Sequence, residues 1–442
     1  MARSDIFHPD FKPSPYWWEA YRPTSGELVE VPQSARVAIV GGGYAGLSTA
    51  LELAKHGIDA VVLERGELGV GASTRNGGSV SGGVNIGKSF SGRPAEVGPE
   101  ETHHLLSDAS DAFSLIERLI AEEGIECFWM KRDRFVGAWT PAHYDYQQTR
   151  LAALNDNAQS GAYMVPRERQ REEIASDYYY GGMVVERSAS LHPALYYKGL
   201  LDACRRRGVA VCAEAAVDEI AQEAPLGGEG WRVRTSRGTV AAGDVVIATN
   251  GYTGAITPSL RRRVVPIASH IIATEELPED LAAALIPKRR SLSDTKRVLC
   301  YYRMSPDGRR MVFGGRARFT HVDPALSARV LYGYMTERFP QLRGVRITHG
   351  WDGNTAFTLD ALPHMGQRDG MHYCLGCNGS GVAMMTYLGY QTARKIARVA
   401  NAACAFDRED FPDHPLYSGN PWFLPLVGGY FRLRDRLDRL LA

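Results

Sequence analysis

The stretch ARVAIVGGGYAGL, Ala35–Leu47, decides the fold. An apolar, β-rich run, Val37–Val40, leads directly into Gly41, Gly43 and Gly46, and Leu47–Gly57 reads as a helix. This is the strand, tight turn and helix on which a dinucleotide pyrophosphate sits. The first glycine permits the turn, the second removes a Cβ so that backbone amides approach the phosphates, and the third lets helix and strand pack closely. A second apolar strand, Ala60–Leu63, ends on Glu64, 23 residues beyond Gly41, where a carboxylate accepts hydrogen bonds from a ribose 2′-hydroxyl.

At 442 residues the chain is longer than one core usually serves, so two or more domains are expected. Its 51 Lys plus Arg balance 50 Asp plus Glu, leaving no global field to attract nucleic acid or an anionic membrane. No apolar run approaches the roughly 20 residues that span a bilayer. The N-terminus lacks a signal-peptide apolar region, and seven scattered cysteines suit a reducing cytoplasm. Cys374 and Cys377 have CxxC spacing without a second pair or a histidine cluster, so they read as buried thiols on a strand, and no metal is expected.

Residues 1–35 contain HPDFKPSPYWWEAYRP and no helical periodicity. They read as an extended arm whose Tyr16, Trp17, Trp18 and Tyr21 pack on the body of the protein or on a second subunit. Beyond Glu64 lie two glycine-rich candidates for phosphate binding. Gly82–Ser89, GGVNIGKS, matches GxxxxGK[ST] but has neither the preceding strand nor the following helix that a phosphate loop needs. The favoured reading is that GASTRNGG, Gly71–Gly78, wraps the second half of the same dinucleotide, with Arg75 supplying positive charge.

Periodicity then predicts an amphipathic helix over 101–123, a strand over Cys127–Trp139, a helix over Tyr144–Gly161 and a strand over Gly182–Glu186. This block interrupts the nucleotide pattern, which resumes with a helix over Pro193–Arg207, a strand over Val209–Ala213, a hairpin-like pair Trp231–Thr235 and Thr239–Ala241, and a buried strand Asp244–Thr249. A β-rich stretch follows, Val264–His349, with strands Ile267–Thr274, Val298–Met304, Met311–Gly315 and Val345–Gly350 and a helix Ala325–Phe339. On the strand holding Tyr301, Cys300 and Tyr302 share one face and Tyr301 and Arg303 the other. These tyrosines read either as hydrogen-bonded within a sheet or as facing a substrate. After the strand MHYCLGC, the turn at Gly379–Val382 opens a helix whose free amides carry partial positive charge. Pro421–Ala442 reads as an amphipathic helix docking on the protein rather than a membrane foot. The division expected is an arm (1–35), a discontinuous cofactor domain (36–90, 185–260 and 350–415), a substrate domain (91–184 and 261–349) and a tail helix (416–442).

These residues, in this order, resemble the D-amino-acid-oxidase-like, or glycine-oxidase-like, family of FAD-dependent amine oxidoreductases over nearly the whole chain. The resemblance is carried by VAIVGGGYAGLSTALELAKHG, VVLERGELGVGASTRNGG, ATNGYTG, TEELPEDLAAALIP, YYRMSPDGRRMVFGG, RFPQLRGVRITHGWDGN and TLDALPHMG. It implies an α/β fold in which a Rossmann-like, glutathione-reductase-type FAD-binding domain is interleaved with a β-rich α+β substrate domain. It also implies that Gly41, Gly43, Tyr44, Ala45 and Gly46 cradle the pyrophosphate, and that Glu64 and Arg65 hold the adenosine end. Val217 would take the adenine side, Ala72, Ser73, Arg75, Asn76 and Gly77 the flavin, and Gly379, Ser380, Gly381 and Val382 its pyrimidine edge. Two departures stand out. The family turn often reads GxSGHGV, and Ser380 stands where its histidine sits. The positions where some relatives attach FAD covalently hold Thr74 and Arg75 in one segment and Gly353–Phe357 in the other, so FAD is expected to be non-covalent.

The activity implied is oxidation of a primary or secondary amine, γ-glutamyl-amine-like or amino-acid-like, to an imine, with O2 reoxidising the flavin to give H2O2. Polyamine catabolism is a fitting context, and self-association is allowed. Tyr301, Tyr302, Arg303 and His270 are the candidate pocket residues, with Arg303 holding a substrate carboxylate. The alternatives are a dehydrogenase passing electrons to a quinone or carrier protein, and a non-catalytic flavin-binding protein. An NAD-dependent dehydrogenase fits the opening motif but not the later glycine turn.

Overall fold

Val37–Val40 and Ala60–Leu63 are aliphatic and buried at every position, as strands covered on both faces must be. In the computed structural model, which describes residues 6–82, 97–223 and 230–442, Ser34–Val40 lies within an eight-stranded sheet. It runs parallel to Ala60–Leu63 on one side and to Gly238–Ile247 on the other. Ala210–Cys212 extends the sheet beyond Ala60–Leu63, and Met371–Leu375 joins it with His372 facing Val246. The helices Tyr44–Lys55 and Gly381–Ile396 cross at backbone contact, since a Cβ on Gly389 would collide with Ala45 O. That approach brings the glycine turns that open the two helices into one region.

The second sheet has nine strands, in the order Phe7–Lys12, Ile347–Phe357, Val265–Thr274, Met311–Gly315, Cys300–Met304, Ser291–Asp294, Arg134–Gly137, Gly182–Val185 and Tyr163–Val165. One face buries Cys300, Tyr302, Phe313 and Phe135 in a core shared with Leu331 and Met335 of the helix Pro324–Arg338. At its centre Arg338 donates to Asp294 over 2.7 Å with neither side chain exposed. The other face is turned toward the cofactor-binding segments.

Several expectations from periodicity are revised. Thr239–Ala241 and Asp244–Thr249 are halves of one strand, Gly238–Ile247, whose first half pairs antiparallel with Gly230–Thr235 while its second is sandwiched between parallel neighbours. Only Arg134–Gly137 of Cys127–Trp139 is strand, and Tyr144–Gly161 divides at Arg150 into the helices Pro141–Thr149 and Leu151–Ala158. Residues 350–357, assigned from sequence to the cofactor domain, continue the strand Ile347–Phe357 and pair antiparallel with Val265–Thr274. The arm is not merely an anchor, because Phe7–Lys12 is an edge strand of the nine-stranded sheet. Gly83–Ser89 of the phosphate-loop lookalike lies outside the described residues.

The tail forms the helix Leu424–Leu440, docked through Leu424, Gly428, Phe431 and Asp435. Asp435 accepts the backbone N–H groups of Arg297 (3.1 Å) and Val298 (3.0 Å). A second stripe, Leu426, Tyr430, Leu433, Leu437 and Leu440, faces solvent. Among the described residues no helix is long and apolar enough to cross a membrane, and no group of three His, Cys, Asp or Glu side chains is placed to hold a metal ion.

Candidate active site

Gly41 has φ +106°, and a Cβ there would stand 3.0 Å from Ala248 O; a Cβ on Gly46 would collide with Gly41 O. Only glycine satisfies both positions, and the result is a turn that delivers free amides at the start of Tyr44–Lys55. The Glu64 carboxylate sits against this turn, accepting the N–H of Gly42 (2.8 Å) and of Gly66 (3.2 Å). Arg65 lies over the Tyr252 ring at 5.4 Å. Val217 is two residues past Ala215, whose N–H donates to Glu64 O over 2.7 Å, which places it beside the same strand end.

The segment Gly71–Gly78 folds onto this turn. Tyr44 N–H donates to Ser73 Oγ (3.1 Å), and the Tyr44 hydroxyl donates to Pro193 O (3.0 Å). Asn76 ties the segment into a loop by donating to Ala72 O (3.2 Å) and Ser73 O (2.9 Å) and accepting the N–H of Gly78 (2.9 Å). Arg75 donates to Val70 O (2.7 Å) and to Asp352 O (3.2 Å), with its guanidinium 4.6 Å from the Trp18 ring. Asn76 and Arg75 therefore shape the loop as well as lining its cavity.

The loop is gripped from outside by aromatic side chains. Trp17 Nε1 donates to Asn76 O (2.8 Å), Trp18 Nε1 to Thr74 Oγ1 (2.9 Å) and Trp351 Nε1 to Arg75 O (2.8 Å). Arg303 donates from Nε to Gly77 O (2.9 Å) and from Nη2 to Leu191 O (2.6 Å). The paired tryptophans of the arm were legible as anchors. Their grip on the cofactor loop was not, because the groups they hold lie 56 and 59 residues away.

Across from the loop, Gly379, Ser380, Gly381 and Val382 form the turn into Gly381–Ile396, with Ser380 at the N-cap and no side chain capping the helix. A cavity of about 510 Å³ lies between this turn, the loop and the free face of the nine-stranded sheet. Strand alternation decides which sheet residues reach it. Tyr301 and Arg303 do, and the Tyr301 ring covers Gly77, where a Cβ would lie 2.9 Å away. The Tyr301 hydroxyl is 2.9 Å from Ser269 Oγ, and burial pushes the phenol up to about 12, so it stays protonated at neutral pH.

Of the other two expected pocket residues, Tyr302 borders the cavity and His270 does not. The Tyr302 phenol is directed into the opposite core, stacked on Phe313 at 5.1 Å with its hydroxyl 2.9 Å from that of Tyr179. His270 lies between two cavity residues, Ser269 and Ile271, so it points behind the sheet, where Nε2 meets Thr320 O at 3.3 Å and burial lowers its pKa. Arg303 reaches the cavity with two of its three nitrogens engaged by backbone carbonyls. Its third, Nη1, is buried without a partner among the described residues.

These features fit a flavin dinucleotide. The crowded glycines at Gly41 and Gly46, with Glu64 beside them, suit the ADP half, and the loop at 72–77 with the uncapped helix start at 379–382 suits the reactive half. The chain belongs to the FAD-dependent oxidoreductase (DAO) family, whose match spans residues 36–395. It is thus an FAD enzyme that performs oxidation and reduction. The chain is 33% identical over 415 residues to γ-glutamylputrescine oxidoreductase of Escherichia coli K12, covering 91% of this chain and 93% of that one. The fold is shared with glycine oxidase from Geobacillus kaustophilus (TM-score 0.70, 19% identity, 87% of this chain and 99% of that chain). L-proline dehydrogenase from P. horikoshii is similar too (TM-score 0.70, 17% identity, 83% and 94%).

Proposed function

We propose that the chain oxidises a primary or secondary amine, γ-glutamyl-amine-like or amino-acid-like, to an imine, and that O2 is the terminal acceptor, yielding H2O2. The observation that supports this best is the composition of the cavity: it joins the cofactor loop to a sheet face carrying Tyr301 and Ser269, while the one lining carboxylate among the described residues, Asp294, is engaged by Arg338. Such a site orients a substrate instead of exchanging protons with it. The name of the Escherichia coli relative supports an amine as substrate.

When bound, FAD supplies the acceptor for a hydride equivalent leaving the carbon next to nitrogen. The residues of this chain do the rest. Gly41, Gly43, Tyr44, Ala45 and Gly46 present amides to the pyrophosphate, with Glu64 at the ribose. Ala72, Ser73, Arg75, Asn76 and Gly77 hold the ring system, and the helix start at Gly379–Val382 stabilises negative charge at its pyrimidine edge. Tyr301, protonated and pinned by Ser269, walls the cavity beside Gly77 and excludes water. Arg303 and the arm tryptophans keep the loop closed. FAD is non-covalent in this reading, as is consistent with the Thr74 hydroxyl donating to Gly69 O (2.6 Å). A cytoplasmic setting and self-association belong to the same proposal.

The test is anaerobic bleaching of the flavin absorbance by γ-glutamylputrescine, putrescine, N-methyl amino acids and D-amino acids, then peroxide measured per amine consumed in air. Bleaching by at least one amine with stoichiometric peroxide is expected. No bleaching by any amine would sink the reading, and bleaching without peroxide would move the electrons to a quinone or carrier.

A further inference from the structure

We propose that the cavity's far end, built from Arg134, Gln147 and Ser291, binds the α-amino-carboxylate head group of an extended substrate whose amine end reaches the cofactor loop. This rests on the amine-oxidation reading and adds which amines fit.

Strand register puts the three residues and the loop on one surface. Tyr301, which covers Gly77, faces Ser293 on the neighbouring strand, and Ser291 of that strand faces Arg134 on the next. Directly opposed residues share a face, so Arg134 lies on the same face as Tyr301, two strands across and two residues along, about 12 Å between backbones. All of them line the same cavity.

The chemistry at that end is unbalanced. Arg134 is buried and, among the described residues, donates only to Ser293 Oγ, from Nε at 3.2 Å and Nη2 at 2.8 Å. Among the described residues it has no ion pair, because the acids nearby are engaged elsewhere. Asp133 and Glu173 pair with Arg290 (2.8 and 2.5 Å), and Asp294 pairs with Arg338 (2.7 Å). Gln147 donates to Val136 O (2.9 Å), which leaves its Oε1 buried without a donor among the described residues, and Ser291 Oγ is likewise buried and unpartnered among them. A buried guanidinium without a counter-ion and a buried amide oxygen without a donor are each costly. A carboxylate satisfies the first, an ammonium the second, and the Ser291 hydroxyl serves either. A carboxylate and an ammonium side by side are the head of an α-amino acid.

A head group held by Arg134 and an amine at the cofactor loop belong to one molecule only if a chain joins them, as in a γ-glutamyl conjugate of a four-carbon diamine, where about nine bonds separate the carboxyl carbon from the terminal carbon. Glycine and N-methyl amino acids have no such chain. Other guanidiniums line the cavity and compete as anchors: Arg316 donates to Arg297 O (3.3 Å) and lies 4.7 Å from the Phe357 ring, and Arg303 has a buried Nη1 without a partner among the described residues.

The experiment uses FAD-loaded enzyme with γ-glutamylputrescine and putrescine as substrates, and calorimetric titration with γ-glutamyl-n-butylamide, which carries the head group but no terminal amine. R134M is expected to raise KM for γ-glutamylputrescine by about 10- to 100-fold at little-changed kcat, leave putrescine kinetics alone and abolish binding of the amide; R134K recovers part of the loss. Gln147→Leu and Ser291→Ala give smaller losses of the same kind, and they stand in for R134M if it fails to fold. Unchanged preference for the conjugate and unchanged amide binding in these variants, or loss of both in R316M instead, would overturn the subsite. If no amine bleaches the flavin but the amide binds wild type and not R134M, the subsite stands and the oxidation reading falls.

Discussion

Replacing Arg303 with Met separates two roles for this residue. The sequence suggests a substrate-binding guanidinium; the structure turns its Nε to Gly77 O at 2.9 Å and its Nη2 to Leu191 O at 2.6 Å, so that it clamps the cofactor loop to the segment before Pro193–Arg206. Each charge-assisted bond is worth about 1.5–3 kcal/mol, and its loss leaves a carbonyl to find a new partner. Acting against this, Arg303 is a buried cation, which burial pulls down to about 10, and Met relieves that desolvation. The two effects largely cancel in global stability, so the melting temperature of the R303M apoenzyme should move by only a few degrees. They do not cancel at the loop, which loses both tethers. A loosening of about 2 kcal/mol there raises the FAD dissociation constant by about 30-fold. The assay is titration of apoenzyme with FAD, followed by the change in flavin fluorescence, with amine kinetics then measured at saturating FAD. FAD affinity equal to wild type, together with a tenfold rise in KM for a carboxylate-bearing amine, would refute the clamp and return Arg303 to the substrate.

Two further outcomes follow from the same geometry. His192 caps Pro193–Arg206 by accepting the Leu195 N–H at Nδ1 (3.3 Å), and burial holds its pKa at about 4, so the unfolded chain binds a proton that the folded one does not between roughly pH 6.5 and 4. Stability should fall by up to ~3 kcal/mol as pH drops through that window, whereas H192N keeps a capping acceptor without the titration; parallel melting-temperature profiles for the two proteins would show that His192 is not the titrating group. Acid precipitation should leave the yellow chromophore in the supernatant, and a yellow pellet after washing would mean a covalent flavin.

The glycine turn was readable because its requirement is local: Gly41 and Gly46 are dictated by backbone atoms within the same strand–turn–helix unit and the adjoining strand end. Alternation along Cys300–Met304 was readable for the same reason, and it placed Tyr301 and Arg303 together. What Arg303 touches was not readable, since Gly77 and Leu191 are 226 and 112 residues distant. His270 shows the limit of reading residue type alone, because one step along Val265–Thr274 moves a side chain from the cavity to the back of the sheet.

The strand Ile347–Phe357 explains why sequence reading fails most where the site is most constrained. WDGNTAF carries Asp, Gly and Asn in succession, all poor strand formers, yet it pairs residue for residue with Val265–Ile271. Gly353 is there because Arg75 passes close by, with a Cβ standing 3.3 Å from Arg75 Cβ, and Trp351 is there to hold Arg75 O. Asn354 donates to Gly251 O (3.3 Å) beside the end of the nucleotide-binding sheet. Each residue that weakens the strand signal serves contact with the cofactor loop or its neighbours, so local propensity yields to the site. Arg134 is the same case in a longer guise. As one basic residue in a presumed strand it carried no signal, and only the register that sets it beside Ser291, with no ion pair among the described residues, turns it into a demand for a ligand's carboxylate.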